Sequence, residues 1–107
     1  MNIATVEERS GILYVKDSMG RELSRNWASS LGTLLGYSCD LIVFEKNSMI
    51  YVYDENLREI SRNWSNTLGL FKNVCGSNIT FEKNSMIYIY DKNLREVSRR
   101  WKNGSNI

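Results

Sequence analysis

Short runs of alternating apolar and polar residues dominate this chain, and polar turn residues separate them. The clearest run is MIYVYD at residues 49–54, and REISRNW follows it at residues 58–64 after a short turn. Alternation with a period of two, together with β-branched and aromatic residues, is typical of half-buried β-strands. The pattern therefore predicts an antiparallel β-hairpin.

The same hairpin occurs three times along the chain. The segment SMIYVYDENLREISRNW at residues 48–64 returns at residues 85–101 as SMIYIYDKNLREVSRRW. A more divergent copy, GILYVKDSMGRELSRNW, lies at residues 11–27, so the copies start 37 residues apart both times. Regular spacing of this kind is the sequence signature of repeat architectures. We predict a single domain, residues 1–107, made of three repeats at residues 1–37, 38–74 and 75–107.

These repeats predict an all-β fold. An apolar strand precedes each hairpin, but a unit of this size with two exposed edges is not stable alone. Three tandem antiparallel hairpin repeats can share a core about a pseudo-three-fold axis, which also covers the strand edges. We therefore expect a small barrel, prism or propeller-like ring, with a β-trefoil as a variant. After each of the first two hairpins a Leu-Gly pair, Leu31-Gly32 or Leu68-Gly69, predicts a short strand or an anchored loop rather than a long helix.

Pairing each hairpin about its turn predicts which residues are buried. In copy two the predicted register sets Ile50 opposite Arg62 and Val52 opposite Ile60, with Trp64 on the same face. A buried guanidinium must be paired and hydrogen-bonded, because it is otherwise very costly. The repeated arginines either stack on tryptophan or surround an axis and hold an anion such as phosphate. A local bulge that rotates them outward is the third alternative.

The hairpin turn itself differs between the copies. Copy one has Gly20 where a type I turn with a following bulge needs a left-handed residue. Copies two and three have Leu57 and Leu94 at that position, so we expect Asn56 and Asn93 to adopt the left-handed conformation instead.

The opposite face of each hairpin is amphipathic, and it either packs against the next copy or is offered to a partner. Copies two and three are nearly identical even at positions predicted to face solvent, which packing alone does not require. The candidate binding residues are the aromatic and thioether side chains of this face and the repeated arginines: Tyr14, Tyr51, Tyr53, Tyr88, Tyr90, Met49, Met86, Arg25, Arg62 and Arg99.

Composition narrows the function without identifying it. A net charge of +2 does not by itself indicate nucleic acid or an acidic membrane, and no run is long enough to span a membrane. The N-terminus lacks the features of a secretory signal, so we expect a cytoplasmic protein. Cys39 and Cys75 occupy non-equivalent positions, and we expect two isolated, buried thiols rather than a disulfide. Two cysteines without a histidine do not predict a zinc site, and no cofactor is expected.

The repeated carboxylates have a structural interpretation. One aspartate opens each hairpin turn, and one glutamate follows the turn near an arginine: Asp17, Asp54 and Asp91, and Glu22, Glu59 and Glu96. Paired carboxylates can act as acid and base in glycoside hydrolysis. Aspartate at the start of a turn is nevertheless standard hairpin chemistry, and no nucleophile motif accompanies these residues. We therefore do not expect an enzyme.

One stretch of each hairpin resembles known short repeats. IYVYDENLREIS at residues 50–61, and its equivalent at residues 87–98, resemble the Tyr-x-Tyr-Asp-x-x-x-Arg hairpins of bacterial and phage-borne proteins. They are also similar to the YD repeats of Rhs-type shells, although Lys16 replaces the second tyrosine in copy one. The resemblance implies antiparallel hairpins. It implies neither a closed shell nor an active site.

The predicted function is that of a non-enzymatic binding or assembly protein. It acts through the repeated Tyr/Met surface on a protein partner or on itself. The alternative is a ligand-binding module for carbohydrate or an anion near the axis, and the second alternative is single-stranded nucleic-acid binding by tyrosine stacking.

Overall fold

The computed structural model describes residues 2–102 of the chain, and β-strands dominate this part. The strands are β1 Thr5–Arg9, β2 Ile12–Lys16, β3 Glu22–Trp27, β4 Thr33–Tyr37, β5 Ile42–Lys46, β6 Met49–Tyr53, β7 Glu59–Trp64, β8 Leu70–Cys75, β9 Asn78–Lys83, β10 Met86–Tyr90 and β11 Glu96–Trp101. Two four-residue helices, α1 Ala28–Leu31 and α2 Ser65–Leu68, follow β3 and β7. The predicted all-β class is confirmed.

The strands form three antiparallel sheets in which chain neighbours pair. Sheet 1 has the order β1-β2-β3, sheet 2 the order β4-β5-β6-β7, and sheet 3 the order β8-β9-β10-β11. Within residues 2–102 these sheets do not close into a barrel. Each predicted hairpin supplies two adjacent strands of one sheet, and the segment after each of the first two tryptophans supplies the first strand of the next sheet.

Sheet 2 lies between the other two sheets and is buried on both faces. Its first face, which carries Phe44 and Tyr53, packs against sheet 1 in a cluster with Leu13 and Val15. Its second face, which carries Val43 and Val52, packs against sheet 3 in a cluster with Phe81 and Tyr90. We use "first face" and "second face" for the equivalent sides of all three sheets. Each joint therefore places the second face of one sheet against the first face of the next.

Polar contacts recur at the same place in both joints. Ser24 Oγ in sheet 1 donates a hydrogen bond to the Glu55 carbonyl oxygen of sheet 2 at 2.7 Å. Ser61 Oγ in sheet 2 donates to the Lys92 carbonyl oxygen of sheet 3 at 2.6 Å. Both serines lie on second faces, and both acceptors lie in the hairpin turn of the following sheet. The two joints therefore share a hydrogen bond at the same position.

Each short helix anchors a joint with one leucine. Leu31 of α1 and Leu68 of α2 are almost fully buried, each in the cluster of its own joint. Gly69 ends α2 with φ 102° and ψ −155°, and its N–H donates to the Ser65 carbonyl oxygen at 2.8 Å. The prediction from the Leu-Gly pairs is confirmed, since each segment has both a short strand and an apolar anchor.

The hairpin turns correct one sequence prediction. Gly20 is left-handed, as expected, but Leu57 and Leu94 are also left-handed, each with φ 58°. The prediction that Asn56 and Asn93 would adopt that conformation is therefore wrong. Leu57 and Leu94 pack against the two inter-sheet clusters, and this burial offsets the cost of about 1–2 kcal/mol for a left-handed residue.

The turn of sheet 1 has a carboxylate with a perturbed pKa. Asp17 accepts hydrogen bonds from the backbone N–H groups of Met19 and Arg21, both at 2.9 Å. The Arg21 backbone bond is the main cause that lowers the pKa of Asp17 below 3.8. Because the folded-state pKa is the lower one, the stabilisation is complete above pH 3.8 and is lost as the pH falls through the folded-state value.

We expect the Asp17 carboxyl carbon to titrate below pH 3.8 in an NMR titration of the folded chain. An Asp17→Asn variant should lose this titration and the part of the acid dependence of stability that comes from Asp17. A titration at the unfolded value would contradict the assignment.

Candidate functional site

A bulge in each hairpin places the repeated arginine and tryptophan on the first face. In sheet 2 the register pairs Met49 with Trp64 and Tyr51 with Arg62, and it shifts between Val52 and Tyr53. The predicted register, which put Arg62 and Trp64 opposite the buried aliphatic residues, is wrong by one position. The bulge inserts one extra residue into the second strand, and this reverses the direction of every later side chain.

The bulge also removes the predicted burial of the arginines. The guanidinium of Arg62 lies 5.5 Å from the centre of the Tyr51 ring, and its Nε donates to Glu59 Oε2 at 2.9 Å. The side chain of Arg62 is about half exposed. The third alternative from the sequence, a bulge that rotates the arginine outward, is the one that the structure contains.

The same three groups meet in the other two sheets. Arg25 lies 5.3 Å from the Tyr14 ring and donates to Glu22 at 2.7 Å. Arg99 lies 5.3 Å from the Tyr88 ring, and its Nε donates to Glu96 at 2.6 Å. The hydrogen bond that each guanidinium donates to its glutamate is the main cause that raises the pKa of Arg25 and of Arg99. Each of the three arginines therefore has a glutamate of its own hairpin as an ion-pair partner, which holds it in one orientation.

Each sheet also carries one tryptophan beside these groups, at the end of its last strand, and all three tryptophans are exposed. Trp27 is 60% exposed, Trp64 is 56% exposed and Trp101 is 65% exposed. The residue after each tryptophan is fixed to the start of its own hairpin: the N–H of Ser65 donates to the Ser48 carbonyl oxygen at 2.9 Å. The indoles are thus held by ordered backbone although most of their surface faces solvent.

We define the outer-strand surface of a sheet as the five side chains that meet on its first face next to the last strand. The three surfaces are Ile12, Tyr14, Glu22, Arg25 and Trp27 in sheet 1; Met49, Tyr51, Glu59, Arg62 and Trp64 in sheet 2; and Met86, Tyr88, Glu96, Arg99 and Trp101 in sheet 3. A cavity of about 320 Å³ lies beside Trp27 and is lined by Ile12, Arg25 and Asn26.

Two of the predicted binding tyrosines lie in the joints instead. Tyr53 packs against Phe44 at 5.5 Å between ring centres, and Tyr90 packs edge-on against Phe81 at 5.6 Å. Burial is the main cause that raises the pKa of both phenols. Tyr53 and Tyr90 therefore pack in the clusters between the sheets, whereas Tyr14 and Tyr51 belong to the outer-strand surfaces. Tyr88 has both roles, because it belongs to an outer-strand surface and also packs against the cluster between sheets 2 and 3.

The repeated aspartates have structural partners. Asp54 Oδ1 accepts the N–H groups of Asn56 and Arg58, and Asp91 Oδ1 accepts those of Asn93 and Arg95. Each carboxylate thereby fixes its hairpin turn. Among residues 2–102 no group of three or more histidine, cysteine, aspartate or glutamate side chains could hold a metal ion.

The two cysteines are free, and both are exposed. The expectation of buried thiols is therefore wrong. Both lie at polar corners of the sheets rather than within the strand cores, since Cys39 precedes β5 and Cys75 ends β8.

The tryptophans are the residues that sequence reasoning missed as candidates for binding. Their size and apolar character favoured the core, because large aromatic residues normally bury most of their surface. A usable signal existed in the turn: a left-handed residue before the second strand indicates a bulge, and one bulge is enough to move the tryptophan to the other face.

Comparison with protein-family models, curated proteins and solved structures finds no match to this chain. The similarity to YD repeats therefore stays a resemblance of the hairpins. Within residues 2–102 no helix has the length and apolar character needed to cross a membrane.

Proposed function

We propose that this chain is a non-enzymatic binding protein that holds a protein partner through its outer-strand surfaces. The main support is the exposure of one tryptophan in each of the three sheets, between 56% and 65%. The packing between the sheets does not use these side chains. Tryptophan, tyrosine and arginine are the residues that most often dominate the binding energy of protein interfaces, and each outer-strand surface carries all three.

The fixed geometry of the charged groups also supports binding. Each arginine is already oriented by a glutamate and by a tyrosine ring, so little side-chain entropy is lost when a partner docks. The glutamates, in turn, are engaged with arginine at 2.6–2.9 Å. This supports a rigid recognition surface in which each ion pair orients the aromatic groups beside it.

Three similar surfaces on one chain allow multivalent binding. A partner that contacts two of them gains affinity, because the second contact is intramolecular. The near-identity of copies two and three at exposed positions supports this, since both surfaces then present the same side chains to one kind of partner.

A carbohydrate ligand is the second candidate. The cavity beside Trp27 is lined by Ile12, Arg25 and Asn26, and an exposed indole with polar neighbours suits a sugar, which is bound by stacking and hydrogen bonding. The anion alternative has less support, because each arginine already has a carboxylate partner. Single-stranded nucleic acid has less support for the same reason, since the glutamates neutralise the cations that phosphates need.

We also propose that each 37-residue copy is one structural unit of a repeat architecture. The equivalent serine bonds in the two joints and the equivalent glycines after α1 and α2 support this. A pseudo-three-fold axis would need a third joint, between sheets 3 and 1. The clusters of the described residues lie only between sheets 1 and 2 and between sheets 2 and 3, which supports an open row.

Replacing Trp27, Trp64 and Trp101 with alanine together should abolish capture of the partner while the chain stays folded. Loss of one hot-spot side chain costs about 2 kcal/mol, which is about a thirty-fold loss of affinity. The measurement is a pull-down from cell extract with quantitative mass spectrometry, in which the single, double and triple variants should retain progressively less of the same protein.

Met19→Ala is the matched control, because Met19 is 77% exposed but belongs to no outer-strand surface. It should retain the partner fully. Equal retention by the triple variant and the wild type would contradict the proposal. Quenching of tryptophan fluorescence by an oligosaccharide, lost in Trp27→Ala, would favour the carbohydrate candidate instead.

A further inference from the structure

The second face of sheet 3 has the side chains of a joint but no sheet against it in residues 2–102. It carries Ile87, Ile89 and Val97, which are equivalent to Ile50, Val52 and Ile60 of sheet 2. Ile87 is buried and Ile89 is partly buried within the sheet, but Val97 is 59% exposed, whereas its equivalent Ile60 is partly buried in the joint between sheets 2 and 3. Leu70, on the same side at the other end of sheet 3, is 64% exposed. Val97 and Leu70 are therefore two exposed apolar side chains on a face that neither joint covers.

The second face of sheet 3 also carries the serine that donates a hydrogen bond in each joint. Ser24 and Ser61 each donate a hydrogen bond to a turn carbonyl of the following sheet. Ser98 occupies the equivalent position on sheet 3, opposite Ile89, and is exposed. The face therefore has aliphatic residues and a serine at the same positions as the two faces that already form joints.

We call the second face of sheet 3 the docking face. The first face of sheet 1 lacks the aromatic residues that would pack against it. Glu7 and Lys16 of sheet 1 stand where sheet 2 has Phe44 and Tyr53, and their charged groups lie 3.6 Å apart. Burying this pair in an apolar joint carries a desolvation cost that the aromatic residues do not have. A polar outer face is the usual feature of a terminal capping unit in repeat proteins, so head-to-tail stacking of identical chains is disfavoured.

A two-fold contact between the docking faces of two chains is also disfavoured. Arg100 replaces the neutral Asn63 of sheet 2 on this side, and Lys72 replaces Leu35. Lys72 and Lys102 contact Glu82 at 3.4 Å and 2.9 Å, which leaves the face with more cations than anions. In a two-fold contact each patch meets its own copy, and like charges facing one another are disfavoured. An acidic rim on a different partner is favoured instead.

We propose that the second face of sheet 3 docks an antiparallel β-sheet of a partner protein. The facing side of that sheet presents an aliphatic–aromatic pair on one strand and an aromatic residue on the next, as Ile79, Phe81 and Tyr90 do in the joint between sheets 2 and 3. A turn carbonyl of the partner accepts the Ser98 hydroxyl, and acidic groups at its rim meet Arg100 and Lys72. This interface is separate from the outer-strand surfaces and does not depend on the tryptophans.

The test uses a variant whose sheet 1 carries the side chains that we expect on the partner's sheet. The triple variant Thr5→Ile, Glu7→Phe, Lys16→Tyr places on sheet 1 the side chains that sheet 2 has at the equivalent positions Ile42, Phe44 and Tyr53. Wild type and variant are compared by light scattering over a wide concentration range. We expect wild type to have the mass of one chain. The folded variant should form head-to-tail oligomers with an average mass of at least about two chains.

Val97→Asp in the triple-variant background is the control, because it places a charge in the docking face without changing sheet 1. It should return the mass to that of one chain. Oligomers that survive Val97→Asp would overturn the proposal, as would a folded triple variant that stays monomeric. Self-association of wild type that is abolished by Val97→Asp would also overturn it, since a second copy would then be the occupant.

A single Lys16→Tyr variant takes the place of the triple variant if the latter does not fold. The Lys16 side chain is 25% exposed, so this change disturbs one partly buried position. Concentration-dependent association that is reversed by Val97→Asp supports the proposal. A folded monomer at every concentration overturns it.

Discussion

Replacing Phe81 with alanine is expected to lower the free energy of unfolding by about 3–5 kcal/mol. Phe81 is fully buried, and its ring contacts those of Phe71 and Tyr90 edge-on at 5.9 Å and 5.6 Å. Removing the ring leaves a cavity in the joint between sheets 2 and 3, because the surrounding structure relaxes only partly into the space. Urea unfolding followed by circular dichroism measures the change.

Trp101→Ala is the matched comparison for this prediction. It removes a larger aromatic side chain from the same sheet, but one that is 65% exposed. Surface substitutions of this kind usually change stability by no more than about 0.5 kcal/mol. A loss of stability as large as that of Phe81→Ala would put Trp101 in the core and would restore the register predicted from the sequence.

The sequence predicted the strands and hairpins well because their signal is local. Alternation identified MIYVYD and its equivalents, and each forms an inner strand of its sheet at the expected place. The Leu-Gly pairs likewise predicted an anchored segment, and Leu31 and Leu68 are the anchors. These features depend only on residues close together in the chain, so a single sequence contains them.

The faces of the strands could not be predicted in the same way. One bulge residue, Ile60 in sheet 2, reverses the direction of Arg62 and Trp64 relative to Val52. The face of each residue was predicted by counting alternate positions along the chain from the turn. An extra residue between the turn and the tryptophan therefore assigns the tryptophan to the wrong face. The candidate site was therefore assigned to a tyrosine face of which only part is exposed.

The arrangement of the sheets also depended on information outside each copy. Phe44 and Phe81 occupy equivalent positions, but the position in copy one holds Glu7. The glutamate in copy one indicates that the first face of sheet 1 is exposed to solvent, whereas the phenylalanines indicate buried first faces. This difference can be interpreted only once the order of the sheets is known. A row of sheets and a closed ring share the same local pattern. They differ in whether the two end faces meet.

Replacing Gly69 with alanine is expected to cost about 3 kcal/mol of stability. Gly69 has φ 102° and ψ −155°, a region of backbone conformation that essentially only glycine adopts. An added Cβ would also lie 2.5 Å from the Glu82 carbonyl oxygen and 2.8 Å from the Lys83 Cβ. The end of α2 would have to move away from β9, and Leu68 would move with it out of the cluster between sheets 2 and 3.

Gly20→Ala is the milder comparison, because Gly20 also has a positive φ but has no atom within 4 Å of an added Cβ. Leu57 and Leu94 occupy the equivalent turn position, so that backbone accepts a side chain, and the expected cost is only about 1 kcal/mol. Gly32→Ala should resemble Gly69→Ala, since its added Cβ would also lie 2.5 Å from a carbonyl oxygen, that of Glu45. Thermal unfolding of the three variants measures the order. Equal losses for Gly20→Ala and Gly69→Ala would contradict the prediction, whereas a larger loss at both Gly32 and Gly69 would assign the cost to the strained backbone and close contact that these two positions share.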